Sequence, residues 1–95
     1  MLIRFDWDPH KNRLNQKKHG ISFEEASSVF FDENGLLIHD PDHSELEDRY
    51  ILIGMSVKLR HVVVIHTYRE DDRVIRLISA RAATPGEQHP YGGDR

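Results

Sequence analysis

The chain has 95 residues, no cysteine and a formal net charge of −3 at pH 7, which predicts one small domain over 1–95 with a modest core. Without cysteine there is no disulfide framework and no thiolate metal site, so nothing argues for an oxidising compartment and the cytoplasm is the expected location. The longest apolar runs, Tyr50 to Met55 and Val62 to Ile65, are far too short to cross a bilayer, and the N-terminus lacks a signal-peptide pattern, so no membrane association is expected.

Leu2 to Trp7 alternates enough to predict a short strand with Ile3 and Phe5 on one face. Asp8-Pro9 then starts a helix, because the carboxylate can cap exposed N–H groups and proline fits the first helical position. Gly20 ends it. Leu14 is almost its only aliphatic side chain, so this helix is expected to dock weakly and to show Lys11, Arg13, Lys17 and Lys18 to solvent or to a ligand.

A second helix follows at once. Ser22-x-x-Glu25 has capping-box spacing, and Ile21 can pack on Ala26 as a hydrophobic staple. Phe23, Ala26, Val29 and Phe30 recur at helical spacing and form an apolar stripe. Asn34-Gly35 closes the segment, and Leu36 to His39 reads as a strand. The stretch Asp40 to Arg49 is an acidic loop. Tyr50 to Ser56, His61 to Tyr68 and Arg73 to Ala80 read as three strands rich in Val, Ile, Leu and Tyr, joined by short turns into an antiparallel meander. Thr84-Pro85 starts a short final helix that Pro90 and Gly92-Gly93 end within about two turns.

The order predicts an α+β fold, with an N-terminal strand and two helices packed on an antiparallel sheet that contains the meander, and a short C-terminal helix.

Charge is segregated along the chain. Residues 1–20 carry five Lys/Arg against two acids, residues 58–81 six against three, and residues 21–49 nine acids against Arg49. Two basic blocks on one surface would attract phosphate in spite of the net charge, whereas on separate surfaces they are ordinary solvated faces. Histidines are numerous, but Pro41 lies between His39 and His43 in an acidic stretch that reads as solvated surface, so no metal or other cofactor is expected. His66, inside a strand, reads as a partly buried hydrogen-bonded residue.

Several segments together resemble the BrnT family of bacterial toxins: Phe5-Asp6-Trp7-Asp8-Pro9, Lys18-His19-Gly20, His43-Ser44 followed by Glu47 and Arg49, Gly54 with Ser56, and Ile78-Ser79-Ala80-Arg81. The resemblance spans nearly the whole chain and implies a RelE-like fold and a metal-independent endoribonuclease. It further implies a BrnA-like antitoxin, operator DNA bound only through that antitoxin, and dimeric or heterotetrameric complexes.

Attack of a 2′-hydroxyl on the adjacent phosphorus needs a proton acceptor, stabilisation of a phosphorane-like dianion and a proton for the leaving oxygen. Arg69 and Arg81, at strand ends, are the expected phosphate and transition-state contacts, with Arg49 as a third, because guanidinium forks match phosphate oxygens. His19 is a candidate acid or base and Lys18 a point charge for phosphate, although a histidine before a helix-ending glycine also serves as a cap. Lys11, Arg13, Lys17 and Arg76 are the expected RNA-binding residues. Glu87 and Tyr91 fall where the family tends to place Glu and an aromatic, but Pro90 interrupts their pairing on one helical face. A catalytically weak toxin-fold protein that acts as a corepressor with its antitoxin is the alternative reading.

Overall fold

The computed structural model describes residues 3–43 and 47–88. Ser44, Pro90 and Tyr91 lie outside these residues. Five strands, β1 (Arg4–Asp6), β2 (Leu36–Asp40), β3 (Arg49–Met55), β4 (His61–Arg69) and β5 (Val74–Ala82), form one sheet in the order β1-β5-β4-β3-β2. The helices are α1 (Pro9–His19), α2 (Phe23–Ser28) and the short α3 (Pro85–Gln88). The α+β class and the meander are as expected. One pairing adds to that expectation: β1 joins β5 in parallel, while the other four strands are antiparallel.

The local signals for α1 act as predicted. Asp8 accepts from the His10 N–H at 2.8 Å, Pro9 opens the helix, and Gly20 closes it at φ 73°, a left-handed conformation in which a side chain would be strained. What docks α1 is polar. Leu14 is 52% exposed and Asn15 is buried, with its amide nitrogen 2.8 Å from the carbonyls of both Ile21 and Ala80.

Only half of the capping box at Ser22 forms. Ser22 Oγ accepts from the Glu25 N–H at 3.0 Å. The Glu25 carboxylate turns inward, where it accepts from Ser56 Oγ at 2.7 Å and from Arg60 Nε and Nη2 at 2.9 and 2.5 Å. Arg60 also donates to the Gly20 carbonyl at 3.1 Å, which ties the corner between the first two helices to the β3–β4 turn. A complete capping box occurs at α3, where Thr84 Oγ1 accepts from the Glu87 N–H at 3.2 Å and the Glu87 carboxylate accepts from the Thr84 N–H at 2.9 Å.

The main core lies between sheet and helices. Ile21, Phe23, Ala26 and Val29 pack on Leu52, Val62, Val64, Ile75, Leu77 and Ala80. Gly54 sits beneath this layer because a Cβ there would come within 2.9 Å of Val29 Cγ1. The opposite sheet face carries a smaller cluster of Ile53, Val63 and Ala83, flanked by Ile51 and Ile65.

β5 contains one extra residue. Ile65 pairs with Ser79 while His66 pairs with Leu77, so Ile78 forms a bulge. Leu77 and Ala80, three apart, both face the helices. The alternation has slipped by one, and Arg76 and Arg81, five apart, consequently share the open face.

Candidate nucleic-acid interface on the open sheet face

Strand registers place the predicted residues. Asp40 lies opposite Arg49, the β3–β4 register continues to set Arg49 beside Thr67, Thr67 lies opposite Arg76, and Arg76 opposite Asp6. One row therefore crosses all five strands on the face away from the helices: Asp40, Arg49, Thr67, Arg76, Asp6. Arg76 Nη1 is 2.5 Å from Asp6 Oδ2, and Thr67 is buried, with its hydroxyl donating to the Asp48 carbonyl at 2.7 Å. Asp40, Arg49, Ile65, Ile78 and Ser79 line a shallow hollow of about 240 Å³ at the bulge.

Arg69 and Arg81 also face this side, but at opposite ends. Arg69 lies opposite Val74 and Arg81 opposite Val63; six residues of strand separate those two rows, about 20 Å. A single phosphate cannot engage both. Arg69 is 3.3 Å from Glu47. Arg81 is held by one carboxylate through both its terminal nitrogens, with Nη1 at 2.7 Å from Glu87 Oε1 and Nη2 at 2.6 Å from Oε2. This bidentate contact, with the Thr84 bonds in support, draws the Glu87 carboxyl down to a pKa of about 2, and burial opposes it only partly.

The α1 cations belong to the helical layer. Lys11, Arg13, Lys17 and Lys18 are exposed, and His19 is half-buried. Since Gly20 accepts from Arg60 and Asn15 bonds Ala80, the Lys18-His19 corner lies at the same end of the sheet as Arg81, one layer away from the strand arginines. The structure brings Arg49 and Arg76 together, Lys18 and His19 together, and joins neither pair directly to Arg69.

Sequence reasoning missed His61. It pairs with Met55, two residues before Val63, and so sits diagonally from Arg81 on the same face, a relation that separates ladder positions by about 7–8 Å. Alternation from Val63 would have revealed its face, but its nearness to Arg81 depended on the bulge. Arg60 falls in the turn between the strands predicted at Tyr50 to Ser56 and His61 to Tyr68, and no sequence signal marks its pairing with Glu25. Among the described residues no group of three or more His, Asp or Glu side chains could hold a metal ion, and no helix is long and apolar enough to cross a membrane. His39 is 3.2 Å from Asp48.

A family profile described as "Ribonuclease toxin, BrnT, of type II toxin-antitoxin system" matches residues 7–87. The chain belongs to the BrnT family. It is thus a toxin of the type II class, whose members work with a protein antitoxin. Among solved structures, the BrnT ribonuclease toxin of Brucella abortus is similar in fold, with a TM-score of 0.68 and 23% identity over 86% of this chain and 97% of that one. Comparison with curated proteins gives no match. Within the BrnT frame, the open face with Arg49, Arg69, Arg76 and Arg81 is the candidate RNA surface.

Proposed function

We propose that this BrnT-family chain is a metal-independent endoribonuclease, neutralised by a BrnA-like antitoxin, and that Arg81 and His61 form the centre of its site. The observation that carries this reading is the diagonal placement of His61 and Arg81, both half-buried, on the sheet face away from the helices. The imidazole takes the proton of the attacking 2′-hydroxyl, since a neutral ring nitrogen can accept it. The Arg81 guanidinium, once it exchanges Glu87 for phosphate, donates to the non-bridging oxygens as negative charge builds on them. Arg49 and Arg76, two strands apart and about 10 Å from each other, hold flanking phosphates. Lys18 and His19, at the Arg81 end of the sheet, hold a downstream phosphate where the RNA strand leaves the open face, and the leaving oxygen takes its proton from solvent there.

The test is incubation of partner-free protein with defined single-stranded RNA in excess chelator, beside Arg81→Ala and His61→Ala. Fragments with cyclic phosphate and 5′-hydroxyl ends, absent from both variants, are the expected result. Intact RNA from folded wild-type protein rejects the reading.

A second reading has its own observation. Arg69, Arg76 and Arg81 each face a carboxylate of this same chain, Glu47, Asp6 and Glu87. A toxin whose arginines stay internally neutralised acts as a corepressor, reaching operator DNA only through its antitoxin in a complex with paired copies of each chain. Undiminished operator binding by an antitoxin complex containing Arg81→Ala, together with intact RNA, supports that alternative.

A further inference from the structure

The outer edge of the sheet at β2 has no device against strand addition from Leu36 to His39; its acid, Asp40, and Pro41 stand at the C-terminal end. Its sequence is Leu36-Leu37-Ile38-His39-Asp40, without lysine, proline or bulge, and it pairs on one side only, with β3, among the described residues. Leu37 is 52% and Ile38 41% exposed. Natural edge strands usually carry a charge, a proline or a bulge that blocks intermolecular pairing, and a bare apolar edge marks a pairing site. Acids rim it: Glu33 before the strand, Asp42 and Asp48 after it, all exposed.

That rim selects the occupant. Antiparallel pairing of two β2 edges about Ile38 would set Leu36 opposite Asp40 and bring Glu33 of one copy toward Asp42 of the other. Acid would meet acid, which disfavours a second copy of this chain. A segment with apolar residues at alternate positions and Lys or Arg at its ends satisfies both the strand and the rim. The BrnT family supplies a class of partner that must bind tightly, the antitoxin.

We infer that an extended, basic-flanked apolar segment of the antitoxin adds outside β2 as a sixth strand. Alternate side chains join Leu36 and Ile38 on the open face, and the others join Leu37 and His39 on the helix side. The added strand lies next to the Asp40 end of the charged row, so a segment continuing from it can run over Arg49 and close the proposed RNA surface. The inference rests on the antitoxin-bound reading of the function but not on the identity of the catalytic groups.

The experiment uses the full chain and the purified product of the antitoxin gene beside its own. Hydrogen exchange should show the alternate outward amides of 36–40 exchanging rapidly in the free chain and slowing at least tenfold in the complex. Ile38→Lys and Leu37→Lys should each raise Kd at least tenfold, Asp42→Lys should raise Kd and weaken its dependence on salt, and Leu14→Lys on α1 should leave Kd unchanged. Circular dichroism establishes that each variant is folded, and the exchange measurement stands even if one is not. Equal protection of 36–40 in free and bound chains overturns the inference, as does wild-type affinity in both lysine variants. A dimer of the chain alone that Ile38→Lys dissolves assigns the edge to a second copy instead. Failure of the wild-type chain to bind that antitoxin at all rejects the partner reading itself, a result distinct from binding that leaves β2 untouched.

Discussion

The side-chain amide of Asn15 bonds both main-chain groups of Ala80: Nδ2 donates to the carbonyl at 2.8 Å, and Oδ1 accepts from the N–H at 3.1 Å. The amide takes the place of a neighbouring strand where β1 has ended, and its second donor contact, to Ile21 at 2.8 Å, fastens the helix corner to the same point. Removing it leaves buried main-chain groups without partners. Asn15→Ala should therefore lower unfolding free energy by about 3 kcal/mol, while Leu14→Ala next door should change it by less than about 0.5 kcal/mol. Urea denaturation of both variants checks the contrast.

His66 is fully buried, with Nδ1 3.2 Å from the Val64 carbonyl and Nε2 3.2 Å from the Tyr68 hydroxyl. The carbonyl can only accept, so Nδ1 carries the proton and Nε2 accepts from tyrosine, an assignment made from the network. Burial pushes the pKa down from 6.5 to about 4. The unfolded chain therefore binds the proton first as pH falls, and stability present above about 6.5 is lost between that value and about 4. The loss should approach about 3 kcal/mol. His66→Phe should flatten this part of the stability–pH curve, as measured by denaturant midpoints at several pH values.

Arg60 and Glu25 form a clamp whose acid end is buried at 4% exposure. Hydrogen bonds from Arg60 and Ser56 hold the carboxyl below its ordinary range and outweigh the effect of burial. Arg60→Ala strands that charge and should cost about 2–3 kcal/mol, somewhat below a fully buried pair because the guanidinium end is half-exposed. Glu25→Gln in the same chain should restore part of the loss, and a double-mutant cycle measures the coupling.

Glu87 links stability to the candidate site. Its pKa of about 2 means that the stability contributed by the Arg81 contact is fully present above the ordinary value of 4.5 and is lost as pH falls from there toward 2. The pair is partly solvated, so Glu87→Gln should cost only about 1 kcal/mol. The same change should strengthen RNA binding several-fold at low salt by releasing Arg81. Fluorescence anisotropy with a labelled oligonucleotide provides the readout, and weaker binding by Glu87→Gln would show that the carboxylate positions Arg81 rather than withholding it.

Much of the fold could be read along the chain because it depends on short-range rules. The Asp8-Pro9 start, the Gly20 stop and the alternation of Val62 to Tyr68 each announce an element within a few residues. The site was less legible. Arg49, Arg69 and Arg81 were recognisable as strand-end cations, but which of them share a row depends on pairing between strands, and the 20 Å between the Arg69 and Arg81 rows is a property of β4 length. His61 and Arg60 acquire partners only through contacts distant in sequence. Asn15 was hidden for a different reason: a polar residue in a helix with one leucine gives no periodic signal, although it is the residue that docks the helix.

Ile78 sets the parity of everything that follows it in β5. Deleting this one residue would put Ser79 directly after Leu77 and restore strict alternation with Ala80 still toward the helices and Arg81 still outward, whereas keeping it and pairing the strand without the bulge would turn Arg81 inward and carry Ala80 away from Asn15. A gap of one position at the bulge, when such chains are aligned, is therefore a change of length that leaves inside and outside as they were. Two sequences that differ by that residue would present their arginines on the same face, while two of equal length that differ in having the bulge would not.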